Sequence, residues 1–262
     1  MAQLLATVVI GWAGGAAAGS LGDYRQLVLD GHSVKWGEPV AGTGAVITYA
    51  LATSVMTFPG ARNCPGIEPL DATLATNHVA PAAFAGELTA AFRAWSDVAN
   101  VVFRPADPAT ADIVIGAESQ PRGRAFTNVD YQGVLSAAGP RSIDRAVICL
   151  NPAEPWKIGF DGDLRVYDLR YTLEHEIGHA IGLDHPPGFA ELMGFRYLER
   201  FRTPQPGDIS GAVALYGTPQ PAGPIVAAHA PGGGQPAAEQ PSLAIGGPVA
   251  AAPVLPAKAG TR

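Results

Sequence analysis

The sequence predicts one mixed domain of the α/β or α+β class between about Val34 and Gly217. Strand-like runs come mainly first, helical runs flank them, and no internal repeat divides the chain. Ala45–Leu51 (AVITYAL) is β-branched and aromatic, the composition of a strand. A loop rich in turn residues follows, with Pro59, Gly60, Pro65, Gly66 and Pro69. Phe84, Leu88, Ala91, Phe92 and Trp95 recur at three- and four-residue spacing, which predicts an amphipathic helix whose aromatic stripe packs into the core. Val101–Phe103, Asp112–Ile115 and Ala146–Leu150 predict short strands. Tyr171–Ile181 predicts a second helix, stopped near Gly182, where glycine suits a left-handed end. Gly207–Tyr216 predicts a third, with Asp208 near its start favouring the helix dipole.

Three segments are expected: an N-terminal stretch over 1–33, the globular domain over 34–217, and a tail over 218–262. The 262 residues suffice for one sizeable domain plus tails, and 47% apolar against 15% charged residues permits a substantial core. A net charge of −6 with scattered basic residues speaks against a nucleic-acid footprint or a membrane-surface patch. Leu4–Ala18 is apolar and followed by small residues, as in an export signal, but has no basic flank. Its Gly-rich half makes it a poor spanning helix, so the expectation is a secreted protein without stable membrane insertion. From Thr218 onward the chain is mostly Pro, Ala and Gly and cannot bury enough surface to offset its ordering entropy. The two cysteines, Cys64 and Cys149, form no Cys-x-x-Cys pair; they either bridge once in an oxidising compartment or sit as separate buried thiols.

The chemistry lies in HEIGHAIGLDH, His175 to His185. On a helix, His175 and His179 are four residues apart and share one face, so two imidazoles can grip one metal ion. Glu176, beside the first of them, is the candidate general base for a water molecule. Gly182 allows a sharp turn that brings His185 to the same ion from another direction. Three neutral histidines with one open position are a catalytic zinc pattern. Met193, in ELMGF, is a candidate for a turn beneath the metal. The alternative is an amphipathic helix whose imidazoles face solvent, with Met193 as ordinary core. No Gly-x-Ser-x-Gly elbow supports a serine nucleophile.

With these residues the chain resembles the metzincins, and among them the matrixin and serralysin-type peptidases. Lys35–Leu51 is similar to the opening strand of such domains, and Phe84–Ala106 to their first helix and next strand. Ala111–Gly116 is similar to a further strand and Gly207–Gly217 to the closing helix. The resemblance implies a zincin fold, with a twisted mixed sheet, an active-site helix and a C-terminal helix, and zinc on the floor of a cleft. It implies an endopeptidase acting on protein or peptide substrates, with one catalytic Zn2+ on His175, His179 and His185.

There are departures. Phe195 stands where some relatives carry an extra tyrosine ligand, and Tyr197 is not assigned as one. His32, His78 and His229 are too dispersed for the structural zinc of matrixins. RNCPG around Cys64 resembles an inhibitory cysteine motif but follows the first strand, so Cys64 reads as structural. Calcium at Asp161 and Asp163 is conceivable, with a solvated acidic turn as the plainer reading. A substrate-aligning edge strand is expected somewhere between Arg124 and Gly139, with its register open. The rival function is a catalytically inactive zinc-binding or interaction domain.

Overall fold

The computed structural model describes residues 23–120, 123–131 and 139–220. In chain order the first elements are strands β1 (Arg25–Gln26), β2 (Val28–Leu29), β3 (His32–Lys35), β4 (Ala45–Leu51), β5 (Met56–Thr57) and β6 (Gly66–Glu68). Helices α1 (Asp71–Thr76) and α2 (Pro81–Ser96) follow, then strands β7 (Val101–Pro105), β8 (Ile113–Glu118), β9 (Ala125–Tyr131) and β10 (Arg141–Leu150). The last part holds β11 (Trp156–Lys157), β12 (Tyr167–Asp168), helix α3 (Leu169–Ala180), β13 (Leu183–Asp184) and helix α4 (Pro206–Tyr216). The expected export signal lies in 1–22 and most of the expected tail in 221–262, outside the described residues.

The sheet is mixed, in the order β2-β3-β10-β8-β4-β7. The β3–β10, β10–β8, β8–β4 and β4–β7 pairings are parallel. Parallel strands need cover on both faces, and β8 is buried at every position. Side chains alternate across the pleat. Ile113, Ile115, Ala146, Ile148 and Leu150 join the large core with α2 and α3. Val114, Val147 and Cys149 point the other way, into a smaller cluster with Phe58, Cys64 and Ile67. There Cys64 and Cys149 are joined by a disulfide, which resolves the two readings of the cysteines in favour of the bridge.

Helix α2 begins on Pro81 at its first position and buries Phe84, Leu88, Ala91, Phe92 and Trp95, the stripe its spacing predicts. Each large apolar side chain so buried contributes about 1.5–3 kcal/mol. Helix α3 starts two residues ahead of the expected position because Asp168 caps it, its side chain accepting from the Tyr171 amide at 2.8 Å. Trp95 Nε1 donates to the Glu174 carbonyl at 2.8 Å and fixes α2 on α3.

The ordered strands begin at Arg25, ahead of the expected boundary at Val34. Strand β1 pairs antiparallel with β13, matching Arg25 to Asp184 and Gln26 to Leu183. Strand β9 runs antiparallel along β10, with Thr127 opposite Ile148, so the edge strand and its register are defined.

Candidate metal centre and active-site cleft

The helix–turn geometry around HEIGHAIGLDH follows from two glycines. Gly182 has φ +97°, a left-handed conformation that L side chains rarely adopt, and a Cβ there would lie 2.1 Å from the Val34 carbonyl oxygen. The chain can therefore leave α3 and turn immediately into β13. Gly178 faces inward, where a Cβ would lie 2.2 Å from Met193 Sδ. The missing side chain lets the buried Met193 pack directly beneath the helix. The carbonyls of Ala180 and Ile181 at the helix end accept from Trp36 Nε1 at 2.7 Å and the Tyr216 hydroxyl at 2.8 Å.

This framework brings the three sequence-predicted histidines together. His185 Nε2 lies 3.1 Å from His175 Nε2 and 3.1 Å from His179 Nε2. One nitrogen from each ring falls within 4.8 Å of the others. His175 Nδ1 is 2.9 Å from the Leu192 carbonyl oxygen, and His179 Nδ1 is 2.8 Å from that of Leu183. A carbonyl can only accept, so both Nδ1 atoms carry the proton and both Nε2 atoms turn a lone pair inward. At most one shared proton, on His185 Nε2, could lie between the three rings. This all-nitrogen donor set fits a divalent ion such as zinc. Burial holds His175 well below the usual imidazole range, lowers His179, and lowers His185 to about 4. The rings are therefore neutral at pH 7, the state a metal ligand needs.

Glu176 is buried on the same helix face of the cleft. Burial lifts its carboxyl to about 7, against the opposing pull of the Thr127 hydrogen bond and the Arg124 charge. The Thr127 hydroxyl, on β9, donates to Glu176 Oε2 at 2.7 Å. The cleft has a volume of about 460 Å3; the three histidines, Glu176 and β9 residues 125–127 all border it.

Several supporting residues were not visible as such in the sequence. Asp208 does more than favour a helix dipole: its carboxylate accepts from the amides of Leu192 at 2.7 Å and Met193 at 3.0 Å. The Leu192 carbonyl in turn holds His175, so α4 reaches the histidine cluster through two hydrogen bonds. Asp184 pairs with Arg25 at 3.2 Å and accepts from the His185 amide at 2.8 Å, bracing the third histidine against β1. Apart from the contact between the neighbours Asp184 and His185, these are long-range contacts that no local spacing announces.

The remaining candidates are placed as follows. Phe195 is exposed, its ring set edge-on to His185 with the ring centres 5.2 Å apart. The Tyr197 hydroxyl accepts from the Asp168 amide at 2.9 Å and donates to Glu199 at 2.9 Å, so it is committed away from the histidines. The acidic turn considered for calcium is filled by protein cations. Lys157 pairs with Asp161 and Glu199 and donates to the Asp163 carbonyl, while Arg165 pairs with Asp163 at 3.0 Å. The turn is thus charge-compensated by Lys157 and Arg165, as a solvated acidic turn would be.

A mixed sheet, a His-Glu-x-x-His helix ending on a glycine turn, and a third histidine above a buried methionine define a metzincin-type metallopeptidase domain. The chain belongs to the matrixin family, whose model matches residues 72–217. It is 31% identical to human stromelysin-3 over 133 residues, 50% of this chain and 27% of that protein. It is 32% identical to human matrix metalloproteinase-19 over 138 residues, 51% of this chain and 26% of that protein. It is 32% identical to macrophage metalloelastase of Oryctolagus cuniculus over 135 residues, 50% of this chain and 28% of that protein. The matching region thus spans about a quarter of the length of these relatives.

Proposed function

We propose that this chain is a zinc-dependent endopeptidase in which His175, His179 and His185 hold one zinc ion and Glu176 is the general base. The observation that carries this reading is the convergence of three inward-facing imidazole nitrogens with a buried carboxylate in one cleft. Zinc bound there would supply Lewis-acid polarisation of the scissile carbonyl and of a water molecule. Glu176 takes the proton of the attacking water on its carboxylate and passes it to the leaving amine. A carboxyl lifted to about 7 can serve in both directions near neutral pH. Thr127 holds that carboxylate in place. The substrate is a peptide segment lying along β9, whose far edge has no strand partner among the described residues and can accept an added strand.

The catalytic domain spans 34–217, with β1 and β2 as its N-terminal brace and 218–262 as a Pro/Ala/Gly linker or tail. The Cys64–Cys149 disulfide suits an oxidising compartment and so supports export. No helix among the described residues is long and apolar enough to cross a membrane. The rival reading, an inactive zinc-binding domain, leaves Glu176 without a role, since a structural zinc site needs no such carboxylate.

Metal analysis tests the ligand set. The unmodified protein should bind one zinc per chain, and the variant with all three histidines changed to alanine should bind none. Stoichiometric zinc in that variant would contradict the assignment.

A further inference from the structure

Among the described residues that line the cleft, Arg124 is a cation in no direct ion pair. It stands at the start of β9 and borders the same cavity as His175, Thr172 and Tyr197. Its guanidinium carbon lies 4.1 Å from the ring centre of Tyr167 and 5.2 Å from that of Tyr197, so two aromatic rings hold the group in place. Its Nε is sealed from solvent and has no hydrogen-bond partner. Among the described residues no carboxylate forms an ion pair with it. The two acids of the cleft are engaged elsewhere, Glu176 by Thr127 and Asp184 by Arg25.

The residue is half-buried at the cleft wall, and its guanidinium has no carboxylate partner among the described residues. A carboxylate on a bound peptide would supply one, accepting from the guanidinium N–H donors. A lysine or arginine side chain would meet like charge, and a neutral apolar one would leave the guanidinium without a counter-ion.

We propose that Arg124 makes the cleft selective for peptides bearing an aspartate or glutamate beside the scissile bond. This specificity rests on the endopeptidase reading above. The charge is preorganised, so it discriminates without reorganising the site, and a buried polar site rejects the analogue that cannot pair with it.

The test uses peptides identical except for Glu, Gln or Lys placed in turn at the two positions on either side of the cleaved bond. At one of those positions Glu should exceed Gln by at least about tenfold in kcat/KM, and Lys should be the poorest. Arg124→Gln should reduce that ratio to within about threefold of unity, and Arg124→Lys should keep its direction. The same peptides are titrated by fluorescence anisotropy into the zinc-loaded Glu176→Gln variant, where no turnover is expected. If cleavage proceeds with no preference for Glu at any position, or with a preference that survives Arg124→Gln, the selectivity is overturned and the endopeptidase reading stands. If no peptide is cleaved but Glu peptides bind about tenfold tighter than Gln peptides, the selectivity stands and the endopeptidase reading fails. Neither cleavage nor discrimination in binding overturns both.

Discussion

The Thr127 hydroxyl lies 2.7 Å from Oε2 of Glu176 and 3.0 Å from the carbonyl oxygen of the same residue. The strand that borders the cleft thereby also fixes the carboxylate proposed to move the proton. The hydroxyl donates to the ionised form and so holds Glu176 below the value that burial alone would set. Thr127→Val removes the donor, and the acid limb of the kcat/KM profile should then move to higher pH. Turnover near neutral pH should fall roughly tenfold, as for loss of a hydrogen bond to a charged group. Thr127→Ser should restore the limb. An acid limb that does not move in the valine variant would show that the contact does not tune Glu176.

Glu174 gives a pH dependence of stability. It is 1% exposed, its Oε2 has no partner, and burial raises its carboxyl from the ordinary 4.5 to about 9. Between those values the folded protein holds a proton that the unfolded chain has released. The contribution of Glu174 to stability is therefore fully present below pH 4.5 and is lost as pH rises toward 9, by at most ~1.4 kcal/mol per pH unit. Glu174→Gln cannot ionise. Urea unfolding at pH 6 and pH 8 should show the variant gaining on the unmodified protein at the higher pH. A difference between the two proteins that is constant over that range would contradict the assignment.

The disulfide closes a long loop, with Cys64 and Cys149 at a sequence separation of 85. Constraining such a loop in the unfolded chain contributes about 2–5 kcal/mol. Changing both cysteines to alanine should lower Tm by roughly 2–4 °C per kcal/mol lost. Calorimetry of the double variant measures it directly, and an unchanged Tm would mean that the bridge adds nothing to the sheet face it covers.

The fold was legible in the sequence where local pattern and burial agree. The Phe84–Trp95 stripe was recognisable because it buries one face with the helical period, and AVITYAL because its β-branched and aromatic residues suit a strand covered on both faces. Helix α1 was not foreseen: it has six residues and buries only Thr73 and Leu74, too little for a periodic signal. Strands β1, β11, β12 and β13 have two residues each and exist through their partners. The histidines were legible because a helix and one glycine determine where they point. Arg124, Thr127 and Asp208 were not, because the first two meet the histidine helix only through the placing of β9 and the third acts on the histidines from another helix.

The most direct measurement of the central claim is zinc content and peptide turnover on one preparation of Glu176→Gln. The amide keeps the shape of the side chain and removes the base. The account predicts a full equivalent of zinc, an unchanged fold, and hydrolysis reduced by at least ~10²–10⁴-fold, the range for loss of a general acid–base group. Full zinc with undiminished turnover would contradict it.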